Sequence, residues 1–155
     1  MIQIIFKAII ETMENYTEIE IDSLMRRFEA RKLPEEEWTH EAHLFVAIDY
    51  YSKYTLSKAL DLLRENISRH NESTSGINTD TDGYHETITK FWLIIADKFL
   101  ENNSFESSLE ACNAFINSKF GGSKFPFIYY SENVLFSVQA RHNWIEPDLK
   151  PIDSI

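Results

Sequence analysis

Apolar side chains recur at the spacing of an α-helix in two long stretches of the chain, and this periodicity constrains the fold more than any other feature. The stretches are residues 56–69 and residues 84–100. The stripe in the first of them consists of Ala59, Leu60, Leu63 and Ile67. Such spacing is typical of helices that bury one face. With only four glycines and four prolines, the chain also has too few turn residues for a β-sandwich, so the sequence predicts an all-α fold.

Start and stop signals place further helices along the chain. Asp22 is the predicted N-cap of a helix that ends before Pro34, and Thr39 is the predicted N-cap of a helix over residues 39–54. Residues 131–141 are predicted to form one helix, whereas the isoleucine-rich residues 2–14 fit either a helix or a strand. At 155 residues the chain has the size of one domain, so we expect a single-domain helical bundle of five to seven helices.

The C-terminal part of the chain is predicted to be less regular. Pro126 interrupts residues 125–130, which are expected to be extended. Residues 144–155 are expected to form a coil tail that packs on the body of the domain, because Trp144 and Leu149 are costly to leave in water.

Charge and composition argue against several classes of function. The chain has 15 lysines and arginines and 25 aspartates and glutamates, which gives a net charge of −10 and opposes binding to nucleic acid. No apolar run reaches the length of a membrane span, and the N-terminal residues lack the basic start of a signal peptide. The single Cys112 fits a reducing compartment. We therefore expect a cytoplasmic protein with neither a nucleic-acid nor a membrane partner, and its oligomeric state stays open.

Three histidines near two predicted helix starts are the strongest chemical signal in the chain. His40 and His43 are three residues apart after Thr39, so they lie on one face of the predicted helix. His85 lies near the start of the helix over residues 84–100. Neutral imidazoles bind zinc, iron, nickel or copper, and three of them leave coordination positions open for water or substrate. The sequence therefore predicts a divalent metal site of His40, His43 and His85.

Glu41 and Glu86, each beside a histidine, belong to the predicted metal site, where each is a candidate for a further ligand, a hydrogen-bond partner of a ligand or a base.

The same histidines also fit two interpretations without a metal. In the first, the histidines pass protons, and Tyr84, Tyr51 or Tyr130 donates a hydrogen bond to a developing oxyanion. In the second, they are structural residues that bond to the backbone or to carboxylates. The spacing of His40 and His43 differs from that of zinc metalloproteases, which have one more residue between the histidines.

Candidate substrate-binding residues come from the long polar loop and from the C-terminal region. Residues 71–83 form the most polar stretch of the chain, and loops of this length are often functional. Asn78 and Thr81 in this loop, together with Tyr130 and Arg141, are the candidates.

Structural roles are expected for three polar residues in the same regions. Arg141 has a structural alternative to substrate binding, in which it pairs with Glu146 or Asp148. His70 and His142 have polar neighbours and are expected to be exposed.

Several of these segments carry a resemblance to known proteins. Residues 38–44 (WTHEAHL) and residues 83–89 (GYHETIT) are similar to the signatures of a family of small bacterial proteins of uncharacterised function. Ser131 is followed here by Glu132, where that family commonly has an arginine. The chain more loosely resembles the DinB-like helical bundles, which hold a divalent metal with three histidines from two helices. Those proteins have the single histidine first and the pair later, whereas this chain has the pair first.

Together these observations favour a small metal-dependent enzyme that acts on a small molecule at the three histidines. The alternative is a binding or scaffold protein without catalytic activity, in which the histidines are structural.

Overall fold

The computed structural model of the protein describes residues 15–154, and the prediction for residues 2–14 lies outside them. The described residues form seven α-helices: α1 (Glu18–Glu29), α2 (His40–Lys53), α3 (Leu56–Ser73), α4 (Glu86–Glu101), α5 (Ser108–Ile116), α6 (Glu132–Leu135) and α7 (Val138–His142). They also include three 3-10 helices: Glu35–Glu37, Phe125–Ile128 and Ile152–Ser154. This part of the chain contains no strand, and the prediction of an all-α fold is confirmed.

Side-chain caps explain where the long helices begin. Thr39 caps α2 as predicted, because its hydroxyl accepts a hydrogen bond from the backbone N–H of Ala42. The predicted cap of the first helix was wrong, since α1 begins after Thr17 rather than after Asp22. Thr17 and Glu20 form a capping box, in which each side chain accepts a hydrogen bond from the backbone N–H of the other residue. The helix therefore starts five residues earlier than Asp22 indicates.

Helix α2 lies at the centre of the molecule. It packs against α3, α4 and α5, and the consecutive residues 44–48 are all buried. A helix that is buried on every side has no polar face, which explains why its sequence lacks the clear apolar stripe of α3. Helix α4 also packs against α3, α5 and α7. Among the described residues, no helix is both long and apolar enough to cross a membrane.

The segment after α5 differs from its predictions in two places. Residues 125–128 form a 3-10 helix, whereas residues 125–130 were expected to be extended. Pro126 lies in the first turn of this helix, where the missing N–H costs little. Residues 131–141 form two short helices rather than one. The second begins after Ser137, whose hydroxyl accepts a hydrogen bond from the N–H of Ala140.

The C-terminal tail lies on the body of the domain. The Tyr130 hydroxyl donates to the carbonyl of Ile145 (2.7 Å), and the backbone N–H of Ser131 donates to the carboxylate of Asp148 (2.8 Å). Leu149 is 59% exposed, contrary to the expectation that it is buried. Hydrogen bonds to Tyr130 and to Ser131, the cap of α6, therefore hold this part of the tail.

Candidate functional site

The first turn of α2 holds His40 and His43 in fixed orientations. Nε2 of His40 lies 2.8 Å from the carbonyl oxygen of Gly121, and Nδ1 of His43 lies 2.6 Å from the carbonyl oxygen of Thr39. A carbonyl only accepts hydrogen bonds, so these two ring nitrogens carry the protons. When the rings are neutral, Nδ1 of His40 and Nε2 of His43 are therefore unprotonated. Within residues 15–154, no hydrogen bond reaches either of these nitrogens.

Both rings line a cleft between the first turns of α2 and α4, which we call the histidine cleft. Its apolar lobe has a volume of about 400 Å³. The lobe has walls from α4, from the segment after Gly122 and from α6, and its lining residues are His40, His43, Ile88, Trp92, Ser123, Pro126, Phe127, Leu135 and Phe136. The first turns of α2 and α4 therefore line the same cleft.

A second, more polar lobe adjoins the first and has a volume of about 330 Å³. Its lining includes His43, Ile88 and Phe136, which also line the apolar lobe. The other lining residues are Trp38, Ile67, Asn71, Asp82, Gly83, Tyr84, His85, Thr89 and Arg141. The histidine cleft therefore brings His40, His43, His85, Tyr84 and Arg141 of the predicted site residues together.

His43 is uncharged at neutral pH. The rings of His43 and Trp38 have centroids 3.8 Å apart. Burial lowers the pKa of His43 from 6.5 to about 4, and the neighbouring His40 and His70 lower it further, although the bond to Thr39 acts in the opposite direction. At pH 7 its free nitrogen is therefore a hydrogen-bond acceptor.

His85 is buried at the start of α4, where both of its ring nitrogens are engaged. Nδ1 accepts a hydrogen bond from the backbone N–H of Ile88 (3.2 Å) and so caps the helix. Nε2 must then carry the proton, which it donates to the carbonyl of Leu135 (2.8 Å). Burial is the main reason why the pKa of His85 falls to about 4, and the positive charge of Arg141 contributes. His85 thus joins α4 to the end of α6.

Glu86 faces α3 rather than the cleft. Its carboxylate forms two hydrogen bonds with Arg64, of 2.7 and 3.0 Å, and accepts a third from the hydroxyl of Tyr84 (2.8 Å). Burial alone would raise the pKa of Glu86, but the bonds from Arg64 and Tyr84 lower it below its ordinary value. Of the three residues proposed as catalytic, only Tyr84 lines the cleft, whereas Glu41 and Glu86 do not.

Arg141 lines the polar lobe without an acidic partner. Its Nη1 donates to the carbonyl oxygens of Gly83 (3.0 Å) and Tyr84 (3.2 Å). The expected pairing with Glu146 or Asp148 was wrong, because backbone carbonyls take the place of a carboxylate. No ion pair among the described residues includes Arg141.

The other proposed substrate-binding residues lie outside the lining of both lobes. The side chain of Asn78 holds the polar loop together, since it accepts from the N–H of Tyr84 (3.0 Å) and donates to the carbonyl of Ser68 (3.0 Å). Thr81 is exposed, and Tyr130 is buried with its hydroxyl on the tail. The two ends of the loop, at Asn71 and Asp82, do reach the polar lobe.

His70 is fully buried, and the expectation of an exposed side chain was wrong. Its Nε2 lies 2.9 Å from the carbonyl oxygen of Leu33, and its ring contacts those of Phe28 and Trp38. The spacing in the sequence does indicate burial, because His70 follows Ile67 at helical spacing and so continues the apolar stripe of α3. The polar residues next to His70 in sequence led to the wrong expectation.

Cys112 is a core residue, as expected. It is fully buried in α5, and burial raises the pKa of its thiol to about 12. A thiol with that pKa is almost entirely protonated at neutral pH, so it is a poor nucleophile.

The described part of the chain contains no group of three or more His, Cys, Asp or Glu side chains placed to hold a metal ion. His40 and His43 each keep one nitrogen free, but the ring nitrogens of His85 bond to Ile88 and Leu135. Within residues 15–154, two of these three histidines therefore have a ring nitrogen without a hydrogen bond. The three-histidine metal site stays a prediction.

Comparison with known proteins does not identify a family for this chain. No protein-family model matches the chain, and no curated protein or solved structure matches it significantly. The histidine cleft itself is therefore the basis for assigning a function.

Proposed function

We propose that the protein binds a small organic molecule in the histidine cleft, with His40 and His43 as its polar contacts. The observation that carries the proposal is the pair of unprotonated ring nitrogens, fixed by the bonds to Gly121 and Thr39, at the wall of an otherwise apolar lobe. Small-molecule sites commonly combine apolar walls with a few well-oriented polar groups.

Binding is favoured over proton transfer because His43 is only weakly basic. A general base works best when its pKa is close to the working pH. With a pKa of about 4, His43 is a weak base at pH 7, although it accepts a hydrogen bond readily. The proposed role of the cleft is therefore recognition of a ligand that has a hydrogen-bond donor.

A metal-dependent enzyme is the second candidate, and one observation favours it. Histidines that bind metals almost always donate their other N–H to a carbonyl or a carboxylate, as His40 and His43 do here. These two rings are the proposed ligands of a zinc, iron, nickel or copper ion, whose remaining positions water or substrate would fill. His85 would join them only by giving up its bond to the N–H of Ile88.

Histidine ring resonances provide a direct test of ligand binding. Protein with ¹⁵N-labelled histidines is titrated with a library of small organic fragments, and the ring nitrogen signals are followed by NMR. We expect binders to shift the signals of His40 and His43, while the exposed His142 serves as the internal control. Fragments that bind without shifting either ring, or a library without binders, would overturn the proposal.

Metal analysis of protein purified without a histidine tag distinguishes the second candidate. A stoichiometric ion that is lost in both His40→Ala and His43→Ala, but kept in His142→Ala, would support the metal site. If His85→Ala also loses the ion, the full three-histidine site is supported. Protein that stays metal-free after incubation with zinc, iron and nickel salts contradicts both versions.

A further inference from the structure

We propose that the ligand of the histidine cleft is a small organic carboxylate, whose anionic group binds Arg141 in the polar lobe and whose apolar body fills the apolar lobe. This inference rests on the proposed function and names the class of ligand.

Arg141 is fixed in place, yet part of its guanidinium is uncommitted. Both of its hydrogen bonds, to Gly83 and Tyr84, come from Nη1. The edge formed by Nε and Nη2 has no hydrogen-bond partner in residues 15–154. That edge presents two parallel N–H donors, which match the two oxygens of a carboxylate.

One acceptor for Nη1 of Arg141, the carbonyl of Gly83, is held in place by the conformation of the polar loop. Gly83 has φ = 81°, a conformation that favours glycine, and a Cβ at this position would lie 2.4 Å from the carbonyl oxygen of Ile77. The loop is thus held in a conformation that directs the Gly83 carbonyl to the guanidinium. Arg141 is oriented before any ligand arrives, which lowers the entropic cost of binding.

The missing carboxylate partner is informative because this protein is rich in carboxylates. Aspartate and glutamate outnumber lysine and arginine by 25 to 15. Arg27, Arg64 and Arg69 each form an ion pair with a glutamate. Arg26 and Arg31 have no ion pair among the described residues, but both are exposed, whereas Arg141 is partly buried. Arg141 instead lies in a cleft, where its partners within residues 15–154 are backbone carbonyls, an arrangement that suits an anion supplied by a ligand.

The charges around Arg141 favour a carboxylate over a phosphate. Asp82 lines the same lobe, although its carboxylate accepts a hydrogen bond from the N–H of Gly83 (2.8 Å). His142, a nearby basic side chain, already pairs with Asp80 (2.8 Å). A doubly charged phosphate would meet one unpaired cation and the repulsion of Asp82, whereas a singly charged carboxylate needs only the free edge of Arg141.

The apolar lobe supplies the other half of the recognition. His43, Ile88 and Phe136 line both lobes, so the body of a molecule anchored at Arg141 reaches the apolar lobe beside these side chains. Burial of apolar surface there favours a carbon skeleton attached to the carboxylate. Acetate, which has no such skeleton, should bind much more weakly.

A matched pair of compounds tests the proposal without altering the protein. 4-Phenylbutyrate and its neutral amide, 4-phenylbutyramide, have nearly the same shape, and calorimetry gives their dissociation constants. We expect the acid to bind at least about tenfold more tightly than the amide, since hydrogen bonds to charged groups are the stronger ones. The acid should also bind more tightly than acetate or phenyl phosphate.

Variants then assign the difference to Arg141. We expect Arg141→Gln to bring the affinity for the acid down to that for the amide, whereas Arg69→Gln, which changes an exposed arginine on α3, leaves both affinities unchanged. Arg141→Lys should restore part of the preference for the acid, because it keeps the charge but not the paired donors. Circular dichroism checks that each variant is folded.

The outcomes separate this inference from the proposed function. Equal affinities of the wild-type protein for acid and amide, with both shifting the His40 and His43 signals, would leave the ligand cleft standing and reject the carboxylate. A preference for the acid that survives in Arg141→Gln would reject Arg141 as the anchor. If neither these compounds nor any fragment binds, both proposals fail.

Discussion

At the scale of single residues, the rings of His40, His70 and His85 hold distant parts of the chain together by hydrogen bonds to backbone carbonyls. His85 is the clearest case, because one ring both caps α4 and bonds to the carbonyl of Leu135. Protonation of Nδ1 would remove the acceptor that caps the helix. The structural role therefore depends on the ring staying neutral.

The pKa of His85 predicts how stability depends on pH. Because the pKa is about 4 in the folded protein and 6.5 for an unperturbed histidine, the unfolded chain binds more protons between these values. Stability is thus fully present above pH 6.5 and is lost as the pH falls toward 4. Between pH 7 and pH 5, this residue should account for a loss of up to about 2 kcal/mol in the free energy of unfolding.

Urea denaturation of His85→Asn at both pH values measures this contribution. Asparagine can still cap α4 but does not titrate, so the variant should lose less stability on acidification than the wild type. Identical pH dependence in the wild type and His85→Asn would contradict the prediction.

At the scale of helices, an ion pair connects α4 to α3. Glu86 and Arg64 connect the first turn of α4 to α3, with the Tyr84 hydroxyl as a third partner. The Arg64 side chain is 46% exposed, so solvent weakens the pair. This arrangement favours a structural rather than a catalytic role for Glu86.

Glu86→Gln tests that role. The amide keeps the shape of the side chain but removes the charge, so we expect the free energy of unfolding to fall by about 1–2 kcal/mol. Binding of cleft ligands, measured by calorimetry, should not change. A large loss of ligand affinity in a folded variant would show that Glu86 acts in the cleft after all.

The features that the sequence predicted correctly depend on residues that are close together in the chain. Thr39 as a cap and the shared face of His40 and His43 follow from residues within one turn of each other. The carbonyl partners of the histidines were not predictable in this way, since His40 bonds to a residue 81 positions away and His85 to one 50 positions away. The split of residues 131–141 was missed because the cap at Ser137 competes with continuation of the helix.

At the scale of the whole molecule, the C-terminal tail closes over the helical body. The bond from Tyr130 to the carbonyl of Ile145 joins the two, and Ile152 is buried in the main hydrophobic cluster. The carbonyl of Asn143, just before the tail, accepts a hydrogen bond from the buried Thr87 of α4 (2.6 Å). The tail is therefore part of the folded structure.

Deletion of residues 144–155 should lower the melting temperature by several degrees. Burial of one large apolar side chain contributes about 1.5–3 kcal/mol, and the deletion removes the buried Ile152 together with the half-buried Trp144 and Ile145. Differential scanning calorimetry measures the shift, and Leu149→Ala, at an exposed position, is the matched control with little expected change. An unchanged transition after the deletion would mean that the tail contributes nothing to stability.

The long-range partners of the histidines also fix when the cleft can form during synthesis. A nascent chain that has reached residue 120 already contains His40, His43 and the whole of α4, but it lacks the Gly121 carbonyl that orients His40. The wall from Pro126 to Phe136 and the anchor at Arg141 emerge later still. Most residues of the helical core are therefore synthesised before the residues that complete the binding site. A ligand can bind only to a chain whose residues 121–141 have left the ribosome.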